Sequence, residues 1–207
     1  MNKLSYDFSA YCIKTLNIGK YSDVLDIGGG HPADPNTADR YQGSFSYHFR
    51  HLFRRTVAID IADDGLNVDL IIDAADLLQH FSKKTFDFVV CQSTLENFKM
   101  ELALKMPDII STLLKDNGWI ILSGETPQYI IKYDYPETER RYRHHQYTQQ
   151  EIKRLFSNFK LVFPPKYNRY NGLWQCYGYK GPCLTKPIHK KYTSNKIWTF
   201  QKLRPAG

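Results

Sequence analysis

The chain has few cysteines, no long apolar run and no acidic residue in its last quarter. Its 207 residues include four cysteines, none of them in a C-x-x-C pair, which excludes a disulfide-rich scaffold. No apolar stretch reaches the roughly 18–20 residues that a membrane helix needs. Residues 1–14 also lack the apolar core of a secretory signal. We therefore expect a soluble, cytoplasmic protein.

Charge is distributed unevenly along the chain. Residues 1–151 contain 16 Lys/Arg and all 21 Asp/Glu, whereas residues 152–207 contain 12 Lys/Arg and no acidic residue. The last quarter therefore carries a net charge of +12. A block of one sign attracts an anionic partner, such as nucleic acid, a phosphorylated compound or an acidic membrane surface. A solvated basic face without a partner is the alternative.

Apolar periodicity predicts strands that alternate with helices. Short β-rich runs predict strands at 23–27, 56–60, 68–72, 86–91 and 118–122. Helical spacing predicts helices at 4–16, 45–55 and 102–114, with Pro107 as an irregularity or a second helix start, and a capping box predicts another from Thr148. Residues 161–163 and 173–179 are candidates for final, antiparallel strands. From residue 181 onward the chain is polar, basic and weakly periodic, which is typical of a loosely ordered tail. This order predicts an α/β fold with a doubly wound, mostly parallel sheet.

The residues with informative chemistry follow the ends of the predicted strands. In chain order, from the first predicted strand to the fourth, they are Gly28 and Gly30, then Asp60, then Asp73, then Cys91 and Gln92. Ligands of open α/β sheets bind beyond these strand ends. For a nucleoside ligand, one carboxylate can accept hydrogen bonds from both ribose hydroxyls, and another can accept one from the adenine amino group.

Two kinds of cofactor fit a glycine turn of this type. Residues 28–33 match the dinucleotide pattern G-x-G-x-x-A. Pro32, however, removes an N–H group that pyrophosphate needs, and the carboxylate of Asp26 would repel pyrophosphate. Asp60 lies 30 residues after Gly30, farther than the usual spacing of about 20. These features favour a cofactor with a positive sulfonium centre over NAD, with a Rossmann-like protein that binds no cofactor as the other alternative.

Five segments together resemble class I S-adenosylmethionine (SAM) dependent methyltransferases of the type-11-like group. Asp23-Val-Leu-Asp-Ile-Gly-Gly-Gly30 resembles motif I, and Thr56-Val-Ala-Ile-Asp60 resembles motif II. Residues 68–77 are similar to the adenine-binding segment, residues 86–97 to motif IV, and residues 117–122 to the strand that follows. The resemblance covers about residues 20–163. The long loop at 31–43, with Pro32 near the usual third glycine, departs from the family pattern.

The resemblance implies a Rossmann-like methyltransferase domain at residues 1–179, followed by a basic C-terminal extension at 180–207. It implies SAM as cofactor, with the methionine part lined by Gly28 and Gly30. Asp26 would organise the turn or meet the cofactor's amino group. The resemblance further implies that Asp60 contacts the ribose and that Asp73 and Ala74 contact adenine. Cys91 and Gln92 would border the methyl-transfer pocket.

The acceptor is less well defined by the sequence. In-line methyl transfer depends mainly on alignment, and a base is needed only if the nucleophile must lose a proton. The candidate bases are His31, His144 and His145. Residues 135–148 look like a substrate loop, which makes Arg140, Arg141, Arg143 and Tyr147 the candidate acceptor-binding residues.

We therefore predict methyl transfer to a small molecule or a sugar or glycan precursor, most readily an anionic one. One alternative is an RNA methyltransferase that binds RNA through the basic last quarter. The other is a cofactor-free, methyltransferase-like module that binds nucleic acid. The spacing of Cys176, Cys183 and His189 does not resemble a zinc site, so no metal is predicted.

Overall fold

The computed structural model describes residues 3–30, 41, 43–62, 68–125, 145–162, 173–180, 183–187 and 201–202. Within these residues the α-helices are α1 (Lys3–Thr15), α2 (Phe45–Phe49), α3 (Leu77–His80), α4 (Met100–Leu113) and α5 (Gln149–Leu155). The strands are β1 (Asp23–Ile27), β2 (Arg55–Asp60), β3 (Leu70–Ile71), β4 (Phe86–Gln92), β5 (Leu114–Glu125), β6 (Lys160–Val162), β7 (Leu173–Tyr179), β8 (Cys183–Pro187) and β9 (Gln201–Lys202).

Seven strands form one sheet in the order β3-β2-β1-β4-β5-β7-β6. The pairs from β3 to β5 are parallel, and β7 is antiparallel to both β5 and β6. The predicted mostly parallel sheet and the antiparallel strand at 173–179 are therefore confirmed. Because β1 lies between β2 and β4, the chain reverses direction across the sheet at β1, which is where open α/β sheets bind ligands.

Helices cover both faces of the sheet, as a doubly wound fold requires. On one face, Phe8 and Cys12 of α1 and Phe45 of α2 pack against Phe88 and Ile121 of the sheet. The opposite face packs against α4 and α5, and its buried side chains include Leu25, Val89, Met106, Ile110 and Ile152. Side chains alternate between the two clusters along β4, so this strand is buried on both faces and its sequence is almost continuously apolar.

Helix α4 continues through Pro107 without a break, so the predicted second helix start is absent. Pro107 cannot donate a backbone hydrogen bond. The residues on both sides of it, Ala103, Met106 and Ile110, are nevertheless buried against the sheet. Each large apolar side chain that is buried contributes roughly 1.5–3 kcal/mol of stability, which is enough to hold both halves in one helix.

Two predicted elements are shorter than expected. The helix predicted at 45–55 ends at Phe49 and continues as a 3₁₀ turn, because β2 already begins at Arg55. The strand predicted at 68–72 pairs only at Leu70–Ile71. There the Asp69 carboxylate accepts the Ala58 N–H at 2.7 Å, so a side chain takes over part of the strand pairing.

The region after residue 181 also differs from the prediction. Strands β8 and β9 pair antiparallel in a second, two-stranded sheet. The sequence predicts a loosely ordered tail and no strand there, because neither stretch shows the alternation of apolar and polar residues that identifies a half-buried strand.

Candidate functional site

The turn after β1 is held tightly between neighbouring strand ends. The N–H groups of Gly28 and Gly29 both donate to the Ile59 carbonyl of β2, at 2.9 and 3.0 Å. Gly28 has φ +77°, a conformation that favours glycine. A Cβ on Gly28 would collide with the side chain of Thr94. The glycines therefore make room for the protein's own side chains at this edge.

Asp26 organises this turn from below. Its buried carboxylate accepts the Ser46 N–H at 2.8 Å and the Ser46 hydroxyl at 2.7 Å, which fixes α2 against β1. Burial raises the pKa of Asp26 to about 6, although the hydrogen bonds from Ser46 act in the opposite direction. Of the two roles implied for Asp26, these contacts match the organisation of the turn.

Asp60 stands at the end of β2, directly beside the glycine turn. Its Oδ2 accepts the Gly30 N–H at 3.1 Å, and its Oδ1 accepts the N–H groups of Ile61 at 2.8 Å and Ala62 at 3.4 Å. A carboxylate has about four acceptor positions. One position on Oδ2 therefore has no donor among the described residues, and this oxygen faces the glycine turn.

Asp73 brings a second carboxylate to the same corner of the sheet. The Ile72 N–H donates to the Asp60 carbonyl at 2.9 Å, which ties the end of β3 to the end of β2. Oδ1 of Asp73 accepts the Ala75 N–H at 2.8 Å and caps a 3₁₀ turn, while Ala74 is buried. The other oxygen of Asp73 has no hydrogen-bond donor within the described ranges.

Cys91 and Gln92 end β4 with opposite environments. Burial, together with the nearby Glu96 and Asp26 carboxyls, raises the pKa of the Cys91 thiol far above its usual range, so this thiol is not a nucleophile at neutral pH. Gln92 is half-buried, and its amide lies 3.2 Å (Nε2) and 3.4 Å (Oε1) from the Ser9 hydroxyl of α1. Only Gln92 of this pair offers polar atoms at the sheet edge.

The segment before α5 packs directly behind the end of β4. The His145 N–H donates to the Glu96 carbonyl at 3.2 Å, and the His145 ring lies 3.7 Å from the Glu151 carboxylate. Tyr147 is buried in the core, and burial plus the Glu96 and Glu151 carboxyls raises its pKa to about 12. Its hydroxyl has no hydrogen-bond partner among the residues that the structure describes.

Several predicted site residues lie outside the described residues. These are His31, Arg140, Arg141, Arg143 and His144. Conversely, sequence analysis did not single out Ser9, Ser46 or Thr94, because one serine or threonine in a loop or helix carries no recognisable motif. Only the register of the strands and helices shows that they contact Gln92, Asp26 and Gly28 respectively.

Across the described ranges, no group of three or more His, Cys, Asp or Glu side chains is placed to hold a metal ion. No helix in the same part of the chain is long and apolar enough to cross a membrane.

Sequence comparison alone identifies no relative: no protein-family model matches the chain, and no curated protein matches it significantly. Comparison with solved structures, in contrast, finds proteins of similar fold. A SAM-dependent methyltransferase from Archaeoglobus fulgidus is 14% identical, with a TM-score of 0.58 over 84% of this chain and 93% of that one. The N-methyltransferase NodS from Bradyrhizobium japonicum, solved with S-adenosylhomocysteine, is 15% identical, with a TM-score of 0.58 over 86% of this chain and 88% of that one.

A third neighbour is the 1,6-didemethyltoxoflavin-N1-methyltransferase of Burkholderia thailandensis, solved with 1,6-didemethyltoxoflavin and S-adenosylhomocysteine. It is 17% identical, with a TM-score of 0.58 over 84% of this chain and 76% of that one. The chain therefore has the Rossmann-like fold of class I SAM-dependent methyltransferases, which confirms the fold expected from the five sequence motifs.

Proposed function

We propose that the protein is a SAM-dependent methyltransferase that acts on a small-molecule or sugar acceptor. The observation that carries the proposal is the position of the Asp60 carboxylate. It lies beside Gly30 at the carboxyl edge of the sheet, in a fold whose neighbours include enzymes solved with S-adenosylhomocysteine.

The residues at this edge fit SAM in number and in charge. The remaining acceptor position on Oδ2 of Asp60 suits a ribose hydroxyl, and the free oxygen of Asp73 suits the adenine amino group. Asp26 adds a third carboxyl below the turn. A cluster of carboxyls favours a cationic ligand and disfavours a pyrophosphate. This supports SAM over NAD.

Bound SAM supplies a methyl group that is already activated on a sulfonium. The protein therefore has to bind and align the two reactants. In our proposal Asp60 and Asp73 bind the nucleoside, Ala74 lies against adenine, and the turn from Gly28 to Gly30 lies against the methionine part. Cys91 and Gln92 border the pocket where the methyl group is transferred.

For binding and deprotonation of the acceptor, we propose the residues predicted from the sequence. His31, His144 and His145 are the proposed bases for an acceptor that must lose a proton. Of these, His145 is described, and its Nε2 lies 3.7 Å from the Glu151 carboxylate. Arg140, Arg141, Arg143 and Tyr147 are the proposed acceptor-binding residues.

The basic last quarter supports RNA as a second candidate acceptor. We propose that residues 180–207 form an extension to a methyltransferase domain at 1–179, and the separate pairing of β8 with β9 supports this division. If the extension binds RNA, affinity should fall steeply with salt, because each neutralised phosphate releases counterions. Salt-independent or absent RNA binding would leave the small-molecule acceptor.

Calorimetric titration of the purified, nucleic-acid-free protein with SAM tests the proposal, with NAD as the control ligand. We expect micromolar binding of SAM and no response to NAD. Asp60→Ala should lose SAM affinity and remain folded by circular dichroism. The matched control is Asp116→Ala, since Asp116 is exposed and pairs with Lys84 away from the site. Undiminished SAM affinity in Asp60→Ala would contradict the ribose assignment, and absent SAM binding in the wild type would contradict the function.

A further inference from the structure

Polar side chains are buried at one end of the otherwise apolar contact between α1 and the sheet. Ser9 and Ser123 are both fully buried, and Gln92 lies between them, in register with Ser123 on the neighbouring strand. Ser5, one turn earlier on α1, is buried as well, whereas other side chains of this contact, such as Phe8 and Ile121, are apolar. Burial of a hydroxyl without a hydrogen-bond partner costs about 1–3 kcal/mol of stability. Buried polar residues at such a position therefore need an explanation, either structural or functional.

The location of these three residues points to the acceptor. Gln92 is the last residue of β4, two strand positions from the Asp60 corner across β1, and Ser123 stands at the same level on β5. The first turns of α1 extend along this edge, because Tyr6 contacts both Tyr41 and His48 near the segment that follows the glycine turn. Helix α1 therefore forms a wall beside the end of β4.

Ser9 positions the Gln92 amide. Its hydroxyl lies within hydrogen-bond distance of both ends of the amide, across 83 residues of sequence. An amide held in this way presents a donor and an acceptor in fixed directions at the half-exposed end of β4. Ser123 stands in register with Gln92 on β5, and its hydroxyl, which has no hydrogen-bond partner among the described residues, is a further donor and acceptor at this level of the sheet.

The chemistry of this wall is neutral. Two hydroxyls and one amide match groups that both donate and accept hydrogen bonds, such as sugar hydroxyls, whereas recognition of phosphate relies on Arg or Lys. Three carboxyls lie near this edge, those of Asp26, Asp60 and Glu96, and they would repel an anion. The basic side chains of His48 and Arg50 also lie near it among the described residues, but Arg50 is paired with Asp69.

We propose that Gln92, positioned by Ser9 and supported by Ser123, recognises the acceptor, and that the acceptor is a neutral, hydroxyl-bearing compound of the sugar class. This inference rests on the proposed methyltransferase function. It narrows the acceptor within the small-molecule and sugar classes, and it opposes the expectation of an anionic acceptor.

The test compares glucose with glucose 6-phosphate, a matched pair that differs in the phosphate. Each sugar is titrated by ligand-observed NMR into the protein saturated with S-adenosylhomocysteine. We expect the wild type to bind glucose more tightly than glucose 6-phosphate. Gln92→Ala should weaken glucose binding about tenfold and Ser9→Ala about threefold, the size expected for one or two neutral hydrogen bonds. Ser9→Thr, which keeps the hydroxyl, should restore binding.

Two further variants separate recognition from packing. Ser123→Ala and Ser123→Cys change the side-chain volume in opposite directions but both remove the strong hydroxyl donor, so they should weaken glucose binding equally. Ser157→Ala, at an exposed position after α5, is the control and should bind glucose like the wild type. Preferred binding of glucose 6-phosphate, absent binding of glucose, or unchanged glucose affinity in Gln92→Ala would overturn the inference.

SAM titration of the same proteins distinguishes this inference from the proposed function. Wild type, Ser9→Ala and Ser123→Ala should bind SAM within about twofold of one another. If the wild type binds no SAM, the methyltransferase proposal fails and this inference fails with it. If SAM binds normally but the sugar results go against expectation, only the assignment of the acceptor wall fails.

Discussion

The side chain of Thr94 occupies the space that a Cβ on Gly28 would need. A Cβ built at Gly28 would lie 2.9 Å from the Thr94 Cβ and closer still to its Oγ1 and Cγ2. The Thr94 hydroxyl in turn donates to the Ile27 carbonyl at 3.2 Å, just before the glycine turn. Thr94, which follows β4, thus packs against the first glycine after β1, and this contact holds the ends of the two neighbouring strands together.

Gly28→Ala should destabilise the protein strongly, because it adds a steric clash to a left-handed backbone conformation. Overpacking costs about 1–3 kcal/mol, and positive φ at a residue with a Cβ costs about 1–2 kcal/mol. We expect a loss of about 2–5 kcal/mol in urea unfolding. In the double variant with Thr94→Ala, the clash should shrink and the strain remain, so the losses should be less than additive. Strict additivity would show that Thr94 does not limit the space at Gly28.

Asp26 should make stability depend on pH between 5 and 7. Its pKa is about 6 in the folded protein against 3.8 in the unfolded chain. The folded state therefore retains a proton that the unfolded state has already lost, and this stabilisation disappears as the pH rises through 6. Relative to Asp26→Asn, the wild type should lose about 1 kcal/mol of unfolding free energy from pH 5 to pH 7.

Urea unfolding of wild type and Asp26→Asn at pH 5, 6 and 7 measures this difference. Ser46→Ala provides a directional check, because it removes the hydroxyl hydrogen bond that stabilises the ionised carboxylate and keeps the backbone one, so it should raise the pKa of Asp26 further. A difference between wild type and Asp26→Asn that stays constant with pH would rule out this titration.

The ends of β1 and β2 and the residue types at them could be predicted from the sequence, because the spacing of apolar residues and the position of glycines are local signals. The run at 23–27 coincides with β1, and the acid predicted after β2 does lie beside the glycine turn. Contacts that depend on register between distant segments could not be predicted. Ser46 with Asp26 and Ser9 with Gln92 are 20 and 83 residues apart, and their pairing follows from the packing of helices on the sheet.

Element lengths were predicted less well where side chains replace backbone pairing. Strand β3 is reduced to two residues because the Asp69 carboxylate bonds to Ala58 and also to Arg50. An aspartate within a β-rich run has no local feature that shows whether it points to solvent or back onto the sheet. Tyr147 is a similar case, because no local feature of the sequence shows that its side chain is buried.

Asp23 should stabilise the opposite edge of the sheet. Its nearly buried carboxylate pairs with Arg54 in a two-point contact and lies 3.6 Å from the Lys115 ammonium, so the pKa of Asp23 is held below its usual range, chiefly by the Arg54 hydrogen bonds. We expect Asp23→Asn to lower the unfolding free energy at pH 7 by about 1–2 kcal/mol, after allowing for the exposure of Arg54.

The pH dependence of this variant has a defined sign. The pKa of Asp23 is lowered by folding, so its contribution is present above pH 4 and is lost as the pH falls below that value. The difference between wild type and Asp23→Asn should therefore shrink below pH 4. Asp116→Asn breaks the exposed pair with Lys84 and should have a much smaller effect. Equal effects of the two variants would mean that the Asp23 network contributes no more than a surface pair.

The start of α5 offers a test of how the segment at 145–148 is held against β4. The Thr148 hydroxyl accepts the Glu151 N–H at 3.2 Å, and the Glu151 carboxylate accepts the Thr148 N–H at 2.7 Å. Thr148→Ala should cost about 1 kcal/mol in urea unfolding, and Thr148→Ser should cost little. Because the two residues form one capping box, the double variant Thr148→Ala with Glu151→Ala should lose less than the sum of the single losses. The same cap should also affect the segment just before it, since His145 and Tyr147 directly precede Thr148. Loosening the cap should therefore increase hydrogen exchange at the His145 amide, which donates to the Glu96 carbonyl. An unchanged exchange rate would show that the contact with Glu96 holds this segment without the cap.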